Sequence, residues 1–232
     1  MAFDPTKYKP PTAKKLPVIL LLDVSGSMDG EKINNLYDAT VGMVDTFVDA
    51  RTREVLIDVA IITFGASVDV HTAYTSAPDL QRKGIGRFNA DGMTPLGVAL
   101  TMAKDMIEDK AITPTKVYRP AVILVSDGAP TDNWKPPLMD FLGNGRSSKC
   151  QRFAVSIGHD ADRQMLEQFT GIPETVFFAE SASDIVSTFQ QISSSISMRS
   201  TSQNPNFVPT LNQSFDKPSS SASADDDDGD EF

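Results

Sequence analysis

Small oxygen-bearing side chains cluster at one point of this chain, directly after a run of apolar residues. Three leucines at 20–22 are followed by Asp23, and two hydroxyls come next at alternate positions, Ser25 and Ser27. Carboxylate and hydroxyl oxygens are hard ligands, which suit Mg²⁺ or Mn²⁺ better than zinc or copper. Gly26 permits the sharp turn that would bring the two hydroxyls together. Three oxygens do not fill an octahedral shell, so the remaining ligands have to come from another segment, from water or from a partner.

Two further segments could supply the missing ligands. Thr94 stands directly before Pro95 at the start of a helical pattern, which predicts that Thr94 caps a helix whose first residue is Pro95. A second apolar run, at 122–125, ends in Ser126 and Asp127. In a parallel sheet, strand ends and helix starts of this kind meet at the carboxyl edge, where open α/β sheets bind ligands. Thr94 and Asp127 are therefore candidates for completing the shell.

Apolar stretches and helical patterns alternate along the chain and must position these residues. Strands are predicted over 17–23, 55–64, 67–74, 121–126, 152–157 and 175–178, and helices over 33–48, 96–107, 137–142, 162–169 and 185–196. Residues 75–92 hold several glycines and predict a loop. The alternation predicts an α/β fold with a doubly wound, mainly parallel sheet, in which 67–74 forms an antiparallel edge strand.

Three motifs resemble the metal-ion-dependent adhesion site of the von Willebrand factor A domain. They are DVSGSM at 23–28, GMTPL at 92–96 and SDG at 126–128, and the resemblance extends over about 16–198. It implies the family's six-stranded sheet with one antiparallel edge strand. It also implies that Mg²⁺ or Mn²⁺ is held by five residues, the hydroxyls directly and the carboxylates often through water: Asp23, Ser25, Ser27, Thr94 and Asp127.

The same resemblance implies a protein-interaction module rather than an enzyme. One coordination position of the ion stays open in the family for an Asp or Glu of a partner protein. Met28, Met93 and Trp134 lie near the motifs and are candidates for contact with that partner, although Trp134 could equally be packed. Within the family, the sequences of these motifs are most similar to those of bacterial TerY-type proteins of tellurium-resistance and stress-response gene clusters. That likeness implies a kinase and a phosphatase as partners, in a stress-response, tellurite-resistance or phage-defence assembly.

A metal-dependent phosphoester hydrolase is the alternative from another class. A D-x-D phosphatase would carry an acid at Ser25, and the sequence contains neither a GxxxxGK[ST] phosphate loop nor a GxSxG nucleophile elbow. The two histidines are His71, on the predicted edge strand, and His159, which we interpret as a loop residue facing solvent. Cys150 has no evident histidine partner, so we expect a buried thiol.

Charge and composition divide the chain into three predicted parts. Residues 1–15, with three prolines, are an extended arm; 16–199 form the domain; and 200–232 form a disordered acidic tail. The net charge is −10, and the tail carries seven acids against one lysine. It could serve solubility, be phosphorylated as the active part of an adaptor, or dock into a basic groove through its acids and Phe232. The domain has no stripe of Lys and Arg, so we expect no direct binding of nucleic acid.

The expected location is the cytoplasm. The first 15 residues have no apolar leader, and no apolar run approaches the roughly 20 residues that span a bilayer, so no membrane contact is expected. A single cysteine, Cys150, excludes an internal disulfide and fits a reducing compartment.

Overall fold

A six-stranded sheet runs through the computed structural model, which describes residues 13–50, 55–158, 161–202 and 206. The strand order is β3-β2-β1-β4-β5-β6, and all neighbours are parallel except β2 and β3. The strands are β1 (Lys14–Asp23), β2 (Val55–Phe64), β3 (Val68–Ser76), β4 (Ala121–Ser126), β5 (Gln151–Ile157) and β6 (Val176–Ala179). The predicted α/β fold with an antiparallel edge strand is confirmed. Most of the predicted arm and tail, with His159 and Phe232, lies outside the described residues.

Six α-helices lie between or after the strands in the described part of the chain. They are α1 (Glu31–Asp49), α2 (Ala77–Lys83), α3 (Leu96–Glu108), α4 (Lys135–Gly143), α5 (Arg163–Thr170) and α6 (Ala182–Thr201). None of these described helices combines the length and apolarity that a membrane crossing needs.

The helices cover both faces of the sheet and divide the core in two. Side chains of a strand point alternately to opposite faces, and β1 shows this clearly. Leu20 and Leu22 belong to the apolar cluster formed with α1, α2 and α6, whereas Ile19 and Leu21 belong to the cluster formed with α3, α4 and α5. Residues 16–22 of β1 are thus all apolar because neither face of the strand meets water there, as expected in a doubly wound sheet.

The order of the strands reverses at β1, and this reversal positions the predicted site. The chain passes from β1 to β2 on one side of the sheet and returns to place β4 on the other side of β1. Leu22 pairs with Val125, so Asp23 at the end of β1 lies beside Ser126 at the end of β4. Crevices at such switch points are where open α/β sheets bind ligands.

The prediction of a loop over 75–92 is wrong in its first half, which forms α2. The hydroxyl of Ser76 accepts a hydrogen bond from the Asp79 N–H at 3.3 Å, Pro78 lies in the first turn, and Gly84 follows the last residue with φ +75°. These are ordinary start and stop signals. The helix has only seven residues, too few to show the apolar repeat from which the other helices were predicted.

A buried arginine fastens the end of α6 to the amino ends of β4 and β5. Arg199 is fully buried; its guanidinium donates to the Gln151 side chain and, at 2.7 Å, to the Arg119 carbonyl. Burial, followed by the charge of Arg119, lowers the pKa of Arg199 to about 10. The last helix of the fold is therefore held by hydrogen bonds as well as by apolar packing.

Replacing Arg199 by alanine should lower the free energy of unfolding by about 3 kcal/mol, because the buried Gln151 side chain and the part-buried Arg119 carbonyl lose their donor. Urea unfolding in EDTA measures this loss. The control is Arg82→Ala, which removes an exposed ion pair with Asp79 on α2 and should cost less than about 1 kcal/mol. Equal losses for the two variants would contradict a fastening role for Arg199.

Candidate metal centre

A buried carboxylate lies at the centre of the site. Asp23 is the last residue of β1 and is fully buried. Its Oδ1 accepts a hydrogen bond from the Ser25 N–H at 2.9 Å, and its Oδ2 accepts one from the Ser126 hydroxyl at 2.6 Å. Burial raises the pKa of Asp23; the hydrogen bonds from Ser126 and Ser25 oppose this rise, and the charge of Asp127 adds to it. The carboxylate is thus fixed in direction, in surroundings that favour a nearby cation.

A chain of hydroxyls connects the ends of β1 and β4. A 3₁₀ turn over Gly26–Met28 follows the strand and brings the Ser25 and Ser27 hydroxyl oxygens to 3.1 Å from each other. The Ser27 hydroxyl then donates to Oδ1 of Asp127 at 2.7 Å. Asp127 is buried, whereas Ser27 is exposed, so the cluster opens to solvent on the Ser27 side.

The loop before α3 is held against this turn by backbone contacts. The Gly26 N–H donates to the Gly92 carbonyl at 3.0 Å, and the Asp91 N–H donates to the Val24 carbonyl at 2.8 Å. Gly92 has φ +79°, and a Cβ there would lie 2.3 Å from the Cα of Ala66. Only glycine fits both the dihedral angle and the space, so this residue sets the approach of the Thr94 loop.

The prediction that Thr94 caps α3 is wrong, and the difference bears on the chemistry. The carboxylate of Asp132 caps the helix instead, accepting from the Gly97 N–H at 3.0 Å and the Val98 N–H at 3.1 Å. Backbone bonds with Thr131 hold Thr94 in place, but the Thr94 hydroxyl makes no hydrogen bond with the described residues. It is therefore available as a ligand. Sequence reasoning missed Asp132 because it lies 35 positions after the amide it caps.

The donor set is rich in hydroxyls and contains just two carboxylates. Among the described residues, no group of three or more His, Cys, Asp or Glu side chains could hold a metal ion. The predicted residues offer two acids and three alcohols, a set that fits a hard divalent cation such as Mg²⁺ or Mn²⁺. The sheet brings Asp23, Ser25, Ser27 and Asp127 into one hydrogen-bonded cluster.

A lysine that sequence reasoning missed also lies in the cluster. Lys32, in the first turn of α1, places its ammonium 2.6 Å from Oδ2 of Asp127 and 3.3 Å from the Ser27 carbonyl. One signal could have drawn attention to it. The start of a helix favours negative charge, so a lysine in the first turn suggests an acidic neighbour from elsewhere in the fold.

The candidate contact residues differ in exposure. Met28 is fully buried in the core, so we remove it from the partner-contact residues. Met93, beside Thr94, is 65% exposed. Trp134 is half-buried against the cluster of α3, α4 and α5, with the Lys135 ammonium 5.7 Å from its ring centroid.

The other reactive side chains lie in different surroundings. His71, on β3, packs edge-on against Phe88 and shares a hydrogen bond with the Thr72 hydroxyl. Cys150 is buried, as expected, and burial raises the pKa of its thiol to about 12. A thiol with so high a pKa is inert as a nucleophile at neutral pH.

Comparison with known proteins gives the same architecture. The family model described as the von Willebrand factor type A domain matches residues 18–192. No curated protein sequence is significantly similar to the chain.

Several solved structures share the fold. One is proximal thread matrix protein 1 of the mussel byssus "with zinc occupied MIDAS motif", 19% identical with a TM-score of 0.64, covering 78% of this chain and 47% of that one. A von Willebrand factor type A structure from Catenulispora acidiphila is 22% identical with a TM-score of 0.63, covering 80% and 43%. The vWF domain of the pilus tip protein Mfa5 from Porphyromonas gingivalis is 12% identical with a TM-score of 0.62, covering 84% and 99%. The chain thus spans less than half the length of the mussel protein and of the Catenulispora acidiphila protein.

Replacing Gly92 by alanine should destabilise the protein by more than about 2 kcal/mol and weaken Mn²⁺ binding, because the Cβ displaces the Thr94 loop. Urea unfolding in EDTA and Mn²⁺ titration measure the two effects. Gly42→Ala is the control: Gly42 lies in α1 with open space around a Cβ, so its replacement should raise stability by about 0.5–1 kcal/mol. If Gly92→Ala is as stable as the wild type, Gly92 is not what allows the Thr94 loop to pack closely against Ala66.

In EDTA at neutral pH, Asp23→Asn should be more stable than the wild type. The raised pKa means that the native state binds the Asp23 proton more tightly than the unfolded state does. The stability linked to this proton is complete below the unfolded pKa and is lost as pH rises through the folded pKa. The advantage of the variant should therefore shrink as pH falls through that window, and thermal unfolding from pH 4 to pH 7 follows it.

The control for Asp23→Asn is Asp105→Asn, which removes one negative charge at an exposed position of α3. Saturating Mg²⁺ should reverse the order of Asp23→Asn and wild type, because an ion bound to the native state stabilises the wild type alone. A lower melting temperature for Asp23→Asn than for wild type in EDTA at pH 7 would contradict the argument.

Proposed function

The chain belongs to the von Willebrand factor type A domain family, and from this premise we propose that it recruits a partner protein through a bound divalent cation. Domains of this family are generally interaction modules rather than enzymes. The cation is Mg²⁺ or Mn²⁺, and its ligands are Asp23, Ser25, Ser27, Thr94 and Asp127. The observation that carries the proposal is the hydrogen-bonded cluster that joins the ends of β1 and β4. The Ser25 N–H donates to Asp23, the Ser25 and Ser27 hydroxyls share a hydrogen bond, and the Ser27 hydroxyl donates to Asp127.

The donor set explains why the ion would bind a partner. Hydroxyl ligands are neutral, so they leave much of the ion's positive charge uncompensated. Asp23 already shares its two oxygens with the Ser25 N–H and the Ser126 hydroxyl, which limits the negative charge it can offer. A cation held in this way remains strongly attractive to a further carboxylate. An Asp or Glu of the partner, entering on the exposed Ser27 side, supplies it.

The partner surface includes Met93. Its side chain projects into solvent next to Thr94, and an exposed apolar residue beside a charged centre can exclude water from the contact. Trp134, half-buried next to Gly97 of α3, is a second contact residue. Apolar contacts around a metal–carboxylate bond add affinity without competing for the ion.

We propose a non-enzymatic role. A phosphoester hydrolase would need a base close to the ion and its water. His71 is engaged with Phe88 and Thr72 instead, and Cys150 is buried with a raised pKa. Two of the three hydroxyls belong to the cluster that joins the acidic residues, an arrangement suited to holding a cation.

The setting of this interaction is a further part of the proposal. The motif wording supports a cytoplasmic bacterial protein of the TerY type, with a kinase and a phosphatase as partners in a stress-response, tellurite-resistance or phage-defence assembly. Cys150 is a free thiol, which a reducing cytoplasm accommodates. The acidic tail remains an alternative route to the same partners, and its deletion separates the two routes.

The double variant Asp23→Ala with Ser25→Ala should abolish the binding of Mg²⁺ and Mn²⁺, because it removes the central carboxylate and one direct ligand. Ser27→Ala alone should weaken Mn²⁺ binding by at least about tenfold, because losing a direct ligand costs no less than losing a residue that only orients one. Isothermal calorimetry measures both. Ser67→Ala, in the exposed turn between β2 and β3, is the matched control and should bind as the wild type does.

The recruiting role has its own test. Partners captured by the wild type should be released by EDTA, restored by Mn²⁺ and lost with the double variant. Replacing one Asp or Glu of the captured partner by Asn or Gln should abolish the contact. Partners that bind the double variant as strongly as the wild type would overturn metal-mediated recruitment.

A further inference from the structure

One cation of the chain itself lies against residues that are proposed to hold the metal. The ammonium of Lys32 contacts Oδ2 of Asp127 at 2.6 Å and the Ser27 carbonyl at 3.3 Å. Both partners belong to residues of the proposed metal shell. The Asp127 side chain is fully buried, whereas that of Lys32 is 38% exposed.

Asp127 needs this lysine when no metal is present. A buried carboxylate without an opposite charge is costly, and the Ser27 hydroxyl at Oδ1 is a neutral donor. Among the ion pairs of the described residues, the one that Asp127 makes is with Lys32. The lysine therefore supplies the positive charge that the site otherwise takes from a divalent ion.

The lysine and the metal cannot both keep their places. An ion in the shell lies next to Asp127 and close to Ser27, so an ammonium in contact with both would face a doubly charged neighbour at a few ångströms. The Lys32 side chain can move away from Asp127 into solvent, because it lies on the first turn of α1 and over a third of it is already exposed. Its flexible four-carbon stem allows the ammonium to move there.

We propose that Lys32 is a tethered cation that neutralises Asp127 in the metal-free protein and is displaced by the divalent ion. The proposal rests on the proposed metal function. Lys32 competes with the ion for Asp127 and so sets the metal concentration at which the site fills. Once released, its ammonium stands at the exposed rim on the Ser27 side, where the carboxylate of the partner enters.

The test compares Lys32→Met with Lys110→Met, which removes the same charge just after α3 from an exposed position. By calorimetry, Lys32→Met should bind Mn²⁺ at least about tenfold more tightly than the wild type, because the competing charge is gone. Lys110→Met should stay within about twofold, since exposed charges at a distance are screened. Lys32→Gln should behave as Lys32→Met does, because charge and not shape is responsible.

Thermal unfolding gives a readout that a merely structural role would not produce. In EDTA, Lys32→Met should melt at a lower temperature than Lys110→Met, since Asp127 loses its counter-charge. Saturating Mn²⁺ should remove this difference, because the ion takes over the role of the lysine. A difference that persists in saturating Mn²⁺ would overturn displacement.

The accessibility of the lysine reports the exchange directly. Acetylation of Lys32, followed by peptide mass spectrometry on the wild type, should become several-fold faster on adding Mg²⁺, while Lys110 should react at a constant rate. Equal Mn²⁺ affinity of wild type and Lys32→Met would overturn the lysine proposal and leave the metal function standing. No binding by either protein would overturn the metal function itself, and displacement with it. Binding by Lys32→Met alone would overturn displacement, because the lysine of the wild type would then keep its place against the ion.

Discussion

The buried carboxylate of Asp23 is the constraint on which the arrangement around it depends. A carboxylate without water must find hydrogen-bond donors and positive charge within the fold. The donors are the Ser25 N–H and the Ser126 hydroxyl, so the same interaction fixes the turn after β1 and joins β1 to β4. The charge is balanced poorly by neutral donors, which is why burial raises the pKa of Asp23. A buried carboxylate of this kind therefore favours the binding of a cation to the native structure.

The loops around this carboxylate pack closely through their backbones, and at two glycines there is no room for a side chain. A Cβ at Gly65 would lie 2.7 Å from the carbonyls of both Val24 and Asp91, and one at Gly92 would meet Ala66. Asp132 takes over the capping of α3 and leaves the hydroxyl of Thr94 free. Hydroxyls on such closely packed turns have little freedom to move, which preorganises them for a small ion.

In our proposal, charge rather than shape distinguishes the metal-free and the metal-bound states of this site. The metal-free state contains two buried acids, Asp23 and Asp127, and one partly exposed base, Lys32. An ion changes the positive charge at the site from one to two, and its neutral hydroxyl ligands leave it attractive to a carboxylate outside the chain. Metal binding and partner binding are then linked through electrostatics, with no need for a movement of the sheet.

The sequence alone determined the local features. Apolar runs gave the strands, periodicity gave the longer helices, and the order of acid, hydroxyl and glycine gave Asp23, Ser25, Ser27, Thr94 and Asp127 as site candidates, since each of these signals lies within a few adjacent residues. The tertiary structure decided what depends on distant contacts. It joined Asp23 to Ser126 across two strands, moved the cap of α3 to Asp132, buried Met28 and placed Lys32 on Asp127, across 95 positions. Such pairings follow from strand order and helix packing, which no local pattern of residues encodes.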